Sequence, residues 1–225
     1  MADPQPPASN PPAAQPGVVP AQPDSPVGAM KVQAQMTYCT PILVGAIEGT
    51  ESFNAELRDK VLEMRQAVAT EQKADLPAWR SNPDLLQKVG EPYSGTLARL
   101  FLNLVAAGMQ ALQAPVPKQD QHRVDAWATV LDKGASVPAH VHPGSPWTGL
   151  YFVATEAGKA GEARFTDPRA GALTISHPFS PWPMMQQVRM DAKPGTMLVF
   201  PSFLTHAVDS YQGDAPRITV SLNLR

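Results

Sequence analysis

Cysteine is almost absent from this chain, since Cys39 is the only one among 225 residues. An intramolecular disulfide needs two cysteines, and a cysteine-rich zinc site needs several. The sequence therefore excludes a disulfide framework and a cysteine-rich zinc site, and its single thiol is compatible with a reducing compartment.

Long apolar runs and a strong net charge are also missing. No stretch approaches the roughly 18 apolar residues of a membrane span, and the N-terminus lacks the basic and apolar regions of a secretory signal. The net charge of −2 gives no electrostatic reason to expect nucleic acid or an anionic membrane as partner. We expect a cytoplasmic protein whose partner is a small molecule or a peptide.

Proline, by contrast, is abundant and unevenly placed. Nine of the 25 prolines precede Met30, in a stretch that has no aromatic residue and no apolar periodicity. Such a segment cannot bury enough apolar surface to offset the entropy lost on ordering. We expect residues 1–29 to be a disordered tail and residues 30–225 to form one domain.

The apolar pattern of the domain changes from helical to strand-like along the chain. After an opening strand within 35–45, apolar residues recur at helical spacing over 54–70, with Asn54 as N-cap, and over 94–112, with a loop over 77–93 between them. The second half consists of short alternating or β-branched runs separated by Gly and Pro. This order predicts a mainly β domain with flanking helices, whose natural architecture is a double-stranded β-helix, a cupin-like jelly-roll barrel.

Three of the five histidines mark a candidate metal site. His140 and His142 are two residues apart in an extended segment, so their side chains point to one face. His206 follows a later strand that a barrel could bring beside them. Imidazole suits iron, zinc, copper and nickel, so the ligand type leaves the metal open. The plain alternative is that these are polar residues at strand ends.

A candidate anion site follows in the last strand. Arg217 and Thr219 lie two residues apart and therefore share a face. A guanidinium beside a hydroxyl can bind one carboxylate with parallel hydrogen bonds. The alternative is a structural ion pair of Arg217, and the residues alone leave both interpretations open.

Four motifs in this order resemble those of the 2-oxoglutarate/Fe(II)-dependent oxygenase superfamily. They are HVHPGSPWTGLYFV at 140–153, FTDPR at 165–169, PGTMLVFPSFLTHAV at 194–208 and RITVSLN at 217–223. The likeness is closest to a bacterial and phage subgroup of these oxygenases. It extends upstream to TPILVG near residue 40 and to AWRSNPDL at 78–85.

The resemblance implies an Fe(II) site with contacts from His140 and His206. His142 stands where the superfamily usually has an aspartate or a glutamate, so either His142 completes a three-histidine face or another group such as Asp167 does. We favour His142, because its spacing from His140 is the superfamily's spacing. Asp167 and Arg169 are then expected to form a turn at a strand end or to line the substrate pocket.

The resemblance also implies a co-substrate and a reaction. Arg217, helped by Thr219, is expected to bind the distal carboxylate of 2-oxoglutarate, and Tyr151 either reaches this co-substrate or packs in the core. Fe(II), 2-oxoglutarate and O2 would together hydroxylate a C–H bond of an amino acid, a peptide or a small metabolite, with release of succinate and CO2. Ser221 is expected to be a neighbour, and Asn223 to have a structural role.

Substrate selectivity is expected to come from the rim of the pocket. Residues 171–190 join two predicted strands and hold Trp182 among prolines and methionines, a composition typical of a lid that excludes water. The alternative is that this stretch continues as a strand and packs on the barrel. Trp147, just after the HxHP motif, is a second candidate for substrate contact, whereas His122 and His177 are not expected to be ligands.

Two other functions are compatible with the same barrel. The first is a cupin-type dioxygenase that uses three histidines without 2-oxoglutarate, which would leave Arg217 and Thr219 without a task. The second is a non-catalytic barrel that binds a ligand or a partner. The sequence does not decide the substrate or the oligomeric state.

Overall fold

The computed structural model describes residues 17–19, 30–32, 40–69, 78–116, 122–159, 161–169, 187–191 and 193–225. These residues belong to two units, Met1–Thr40 and Pro41–Arg225. In the first unit, β1 (Gly17–Val19) pairs with β2 (Met30–Val32) in antiparallel fashion. β1 lies within the predicted tail, whose other residues lie outside the described ones, so disorder of the tail stays a prediction.

The described residues of the second unit form three helices and ten strands. The helices are α1 (Glu51–Ala69), α2 (Leu85–Val89) and α3 (Tyr93–Ala111). The strands are β3 (Leu43–Ala46), β4 (Ala78–Arg80), β5 (Val124–Leu131), β6 (Val137–His140), β7 (Trp147–Ala154), β8 (Ala163–Thr166), β9 (Gln187–Met190), β10 (Thr196–Pro201), β11 (His206–Val208) and β12 (Arg217–Leu224).

The ten strands form two antiparallel sheets of a double-stranded β-helix. The major sheet has the order β3-β10-β7-β12-β5-β4, and the minor sheet has the order β6-β11-β8-β9. β12 lies inside the major sheet, where it pairs along its length with β5 and β7. The mainly β fold with flanking helices that the sequence predicts is confirmed.

The helices cover the outer face of the major sheet. Alternation along β7 places Tyr151 and Val153 on this face, in one apolar cluster with Leu57 of α1 and Phe101 of α3. Cross-strand neighbours share a face, so Val220 of β12, which pairs with Tyr151, belongs to the same cluster. The outer face is therefore an ordinary apolar core.

The inner face of the major sheet is turned toward the minor sheet. Leu150 and Phe152 of β7 and Phe200 of β10 form a second apolar cluster with Phe165 of β8 and with Leu204. Since β12 is buried along its whole length, its inward residues must also lie between the two sheets. This inner space is where a barrel of this kind can hold a ligand.

The helix bounds agree with the sequence pattern at α3 and differ at α1. α3 matches the predicted helix to within one residue at each end, but α1 begins three residues before the predicted N-cap. Asn54 is not an N-cap, because its backbone N–H donates to the carbonyl of Thr50 at 2.8 Å within the first turn. The predicted loop over 77–93 contains β4 and α2, which are too short to give a periodic pattern.

Of the helices in the described part of the chain, none has the length and the apolar character needed to cross a membrane.

Gly149 in β7 has no room for a side chain, because α3 packs directly over it. An added Cβ would lie 2.7 Å from Cδ2 of Phe101, which is fully buried. We expect Gly149→Ala to lower the free energy of unfolding by about 1–3 kcal/mol, the usual cost of overpacking a core, as measured by urea denaturation. The control is Gly45→Ala in β3, whose added methyl meets only the movable end of the half-buried Leu104. Equal losses in both variants would contradict the prediction.

Candidate metal centre

The three histidines of the sequence pattern lie together between the two sheets. His140 ends β6 and His206 begins β11, and these two residues are direct cross-strand partners. His142 follows in the next turn, where its backbone N–H donates to the carbonyl of Ser202 at 3.0 Å. One ring nitrogen from each histidine lies within 4.8 Å of those of the other two, which is the geometry of a shared metal ion.

The rings of His140 and His206 are oriented by backbone carbonyls. Nδ1 of His140 lies 2.8 Å from the oxygen of Pro138, and Nδ1 of His206 lies 3.0 Å from the oxygen of Leu204. A carbonyl oxygen can only accept, so each Nδ1 carries the proton and donates it. In the neutral ring this leaves the Nε2 lone pair free for a metal.

His142 is oriented by a buried group of polar side chains. Its Nδ1 lies 2.8 Å from Oδ1 of Asn223 and 3.1 Å from Oγ1 of Thr148. The hydroxyl of Thr148 donates to the same Asn223 oxygen at 3.0 Å and lies 2.7 Å from the hydroxyl of Ser202. All three histidines therefore present Nε2. Asn223, which was expected only to have a structural role, sets the tautomer of His142.

Burial keeps two of these rings in the form that binds metal. The Nε2 atoms of His142 and His206 are buried and have no hydrogen-bond partner among the described residues. Burial lowers the pKa of His206 to about 4 and also lowers the pKa of His142, so both rings are neutral at neutral pH. A buried nitrogen without a partner is costly, and a metal ion would satisfy it. The donor set therefore fits a metal held by three imidazoles.

Asp167 does not join this group. Its carboxylate accepts hydrogen bonds from the Arg169 backbone N–H at 2.9 Å and from Nε and Nη2 of Arg169 at 2.9 and 2.6 Å. These contacts with Arg169 lower the pKa of Asp167. Asp167 and Arg169 thus agree with the interpretation as a turn after β8. The third ring nitrogen near those of His140 and His206 is that of His142.

Arg217 is a buried cation that forms no ion pair with any acid of the described residues. Its side chain is 1% exposed, its Nη1 donates to Oγ1 of Thr219 at 2.8 Å, and its Nε has no partner. Burial lowers its pKa to about 10, so it remains charged at neutral pH. No carboxylate of the described residues forms an ion pair with it, so the structural ion pair considered from the sequence is not found among them. The arrangement can accept an anion from outside the chain.

Gly161 and a β-bulge shape the pocket around Arg217. A Cβ at Gly161 would lie 3.0 Å from Cδ of Arg217, which is a tight contact, and the φ of +76° at this residue also favours glycine. The pairing of β12 with β7 shifts register between Ile218 and Thr219, a bulge of the kind that often lies next to functional sites. Sequence patterns do not reveal either feature.

Tyr151 is not part of this pocket. It lies on the outer face of the major sheet, and its hydroxyl donates to Oδ1 of Asn54 in α1 at 2.7 Å. Of the two alternatives for Tyr151, the structure agrees with packing in the core, where its hydroxyl has a hydrogen-bond partner. Trp147 also faces outward, where a Cβ at Gly108 of α3 would lie 2.9 Å from its ring.

The other rim residue, Trp182, lies outside the described residues, as does most of the predicted lid. Only the last residues of that stretch are described, and 187–190 form β9, which pairs with β8. That end of the stretch agrees with the strand alternative, and the lid itself stays a prediction.

Sequence reasoning missed Trp127 and Arg80. The Trp127 ring lies 5.3 Å from the His142 ring, and the guanidinium of Arg80 lies 4.2 Å from the Trp127 ring centre. Trp127 pairs with Ser221 of β12 and so shares the inner face with it. A large aromatic residue between Asp125 and Thr129 on one face of β5 was the available signal. Arg80 lies in the AWRSNPDL motif, to which no role had been given.

Comparison with known proteins bears on the region that holds these residues. Residues 125–223 match the family model described as "Putative 2OG-Fe(II) oxygenase". No curated protein matches the chain.

Solved structures of low sequence identity share the fold. The carbocyclase SnoK, non-haem and alpha-ketoglutarate dependent, of nogalamycin biosynthesis is 13% identical over 82% of this chain and 79% of its own, with a TM-score of 0.56. HygX from Streptomyces hygroscopicus, with nickel and 2-oxoglutarate bound, is 13% identical over 82% of each chain, with a TM-score of 0.52. A prolyl-4-hydroxylase from Pseudomonas putida is 14% identical over 82% of this chain and 92% of its own, with a TM-score of 0.52.

The matched region contains all three convergent histidines together with Arg217 and Thr219. Residues 125–223, a little under half of the chain, are thus similar to the 2OG-Fe(II) oxygenase family.

Proposed function

We propose that this chain is an oxygenase that depends on Fe(II) and 2-oxoglutarate and hydroxylates a C–H bond of an amino acid, a peptide or a small metabolite. The observation that carries the proposal is the pairing of two incomplete sites in one barrel. Three imidazoles present their Nε2 atoms to one point, and the same inner space holds an arginine that no acid of the described segments pairs with.

The charge of the two sites supports this assignment. Three neutral imidazoles contribute no negative charge to a divalent ion, so most of the charge on the metal must be compensated by a ligand. A dicarboxylate with a keto acid at one end can satisfy the metal and Arg217 together. Thr219 already accepts from Arg217, so its hydroxyl proton remains available for the same carboxylate.

The residues of the chain would then hold the reactants. His140, His142 and His206 would bind the metal through Nε2, and Arg217 with Thr219 would bind the distal carboxylate of the co-substrate. Iron and 2-oxoglutarate supply the oxidation, in which O2 is consumed and succinate and CO2 are released. Phe152, Phe165 and Phe200 line the inner space and exclude water from it.

His206→Ala tests the metal site. Removal of one of three nitrogen donors is expected to weaken Co(II) binding by more than about 100-fold, which exceeds the usual effect of losing a supporting residue. Anaerobic titration followed by Co(II) absorption measures the affinity. His122→Ala is the control, since His122 is not one of the convergent histidines. Wild-type affinity in His206→Ala would refute the ligand assignment.

Asn223→Ala tests the orientation of His142. Loss of the acceptor for Nδ1–H frees the ring to rotate or to change tautomer, so Co(II) affinity should fall by about 10- to 100-fold. Asn223→Asp keeps an acceptor at this position and should retain most of the affinity. Ser221→Ala, on the same face of β12, is the control. If both Asn223 variants bound Co(II) as the wild type does, Asn223 would have no part in holding the ring.

Arg217→Met tests the co-substrate site and separates the proposal from a three-histidine dioxygenase that does not use 2-oxoglutarate. We expect affinity for 2-oxoglutarate to fall by about 10- to 100-fold, the value of a charged hydrogen bond, with Co(II) affinity unchanged. Arg217→Lys should recover part of it, because an ammonium keeps the charge without the planar fork. Calorimetry of the metal-loaded protein measures this.

Arg164→Lys is the control for both Arg217 variants, since Arg164 pairs with Asp209 instead. Wild-type protein that binds Co(II) but neither binds 2-oxoglutarate nor, with Fe(II), forms succinate from it would support the rival dioxygenase. Wild-type protein that gains no stability from a metal would support a non-catalytic barrel.

A further inference from the structure

Arg80 lies at the edge of the inner face, on the same side of the major sheet as the metal centre. β4 is an edge strand, and its Arg80 pairs with Thr129 of β5, which in turn pairs with Thr219 of β12. Cross-strand partners share a face. A row of polar side chains therefore leads from Arg80 through Thr129 to Thr219, whose hydroxyl accepts a hydrogen bond from Arg217. The preceding residue, Trp79, packs with the helix-facing core and confirms this alternation.

Arg80 differs from most arginines of the chain because it forms no ion pair with an acid in the part of the chain that the structure describes. All ten arginines are described, and seven of them form ion pairs with described carboxylates. The other three are Arg80, Arg99 and Arg217. Arg99 lies on the exposed surface of α3, so the two arginines without an acid on the inner face are Arg80 and Arg217.

Trp127 holds Arg80 in place without using its hydrogen bonds. The guanidinium carbon lies over the indole ring, 4.2 Å from its centre, which is the distance of a cation–π contact. This contact leaves the N–H groups at the edge of the guanidinium free to donate in the fork geometry that suits a carboxylate. Arg80 is exposed at the edge of the sheet, where a ligand can reach it, and partial burial still lowers the pKa of its guanidinium.

The same indole connects Arg80 to the metal centre. Its ring lies 5.3 Å from that of His142, on which the three-imidazole site depends. Burial is the main cause that lowers the pKa of His142, and the charge of Arg80 contributes in the same direction. A group bound by Arg80 would therefore be separated from His142 by the Trp127 ring alone. At that separation, the rest of a small substrate could reach the metal.

We propose that Arg80, placed over Trp127, binds a carboxylate of the substrate, so that the oxygenase acts on a carboxylic acid. This inference rests on the proposed function and adds the substrate class. A free acid and the end or side chain of a peptide present the same carboxylate, and Arg80 would recognise it in the same way. Arg217 is left for the co-substrate, because it is fully buried and lies deeper in the sheet than Arg80.

The test uses the full chain labelled with 5-fluorotryptophan and loaded with Ni(II) and 2-oxoglutarate. Benzoate is titrated against benzamide, which has the same shape without the charge, and the 19F resonance of Trp127 is followed after assignment with Trp127→Phe. We expect a saturable shift with benzoate and little or none with benzamide. Arg80→Gln should weaken benzoate binding by about tenfold or more, and Arg80→Lys should weaken it less.

Arg99→Gln is the matched control, since this arginine also lacks an acid but lies on the surface of α3. Equal shifts with benzoate and benzamide, or unchanged benzoate affinity in Arg80→Gln, would overturn the proposal. Tighter binding of phenylphosphonate than of benzoate would assign the site to phosphate and overturn the carboxylate. Weaker 2-oxoglutarate binding in Arg80→Gln with benzoate binding intact would make Arg80 a co-substrate ligand and also overturn it.

The titration remains decisive if the proposed function fails. Protein that binds no Ni(II) or 2-oxoglutarate is titrated with benzoate in the metal-free form, and loss of the Trp127 shift in Arg80→Gln but not in Arg217→Met still places the carboxylate at Arg80. The absence of that loss refutes the inference independently of the metal site. Circular dichroism of each variant confirms that the barrel is folded.

Discussion

The site depends on one strand that is buried on both faces yet polar on one of them. Along β12 the outward residues are apolar, whereas Arg217, Thr219, Ser221 and Asn223 point inward, and all of them are buried. Buried polar groups are costly unless they are paired. Asn223 is hydrogen-bonded to His142, and Thr219 accepts a hydrogen bond from Arg217. The guanidinium of Arg217 forms no ion pair with an acid among the described residues. The fold thus holds the positive charge of Arg217 in a buried position, where an anion from outside the chain can neutralise it.

The register of the major sheet decides which side chains can take part in this site. A shift by one residue would exchange the two faces of a strand, and the pairing of Tyr151 with Val220 fixes Tyr151 on the apolar side. Its hydroxyl is then satisfied by Asn54 of α1. The same register places Trp127 beside Ser221 and Arg80 beside Thr129 on the polar side. The helices and the site therefore use opposite faces of the same strands.

Local spacing was enough to predict the parts of the site that lie within one strand. Two-residue spacing put His140 with His142 and Arg217 with Thr219, because alternation along a strand needs no knowledge of its neighbours. Pairing between strands has no such signal, which is why both alternatives for Tyr151 stayed open and Trp127 was missed. Arg80 was missed for a further reason, since three residues of β4 are too few to show a period. The long helix α3 was predictable to within one residue because its apolar stripe is long.

Charge balance explains why a three-histidine site and unpaired arginines occur together. A carboxylate at the position of His142 would neutralise part of the metal's charge from within the chain, and an imidazole cannot. Asp167, a nearby acid in the sequence, is already bound by Arg169. A divalent ion bound by the three histidines would add its charge to those of Arg217 and Arg80, and neither the histidines nor Asp167 would compensate it. Under the proposed function, the negative charge then has to come from a dianionic co-substrate and an anionic substrate.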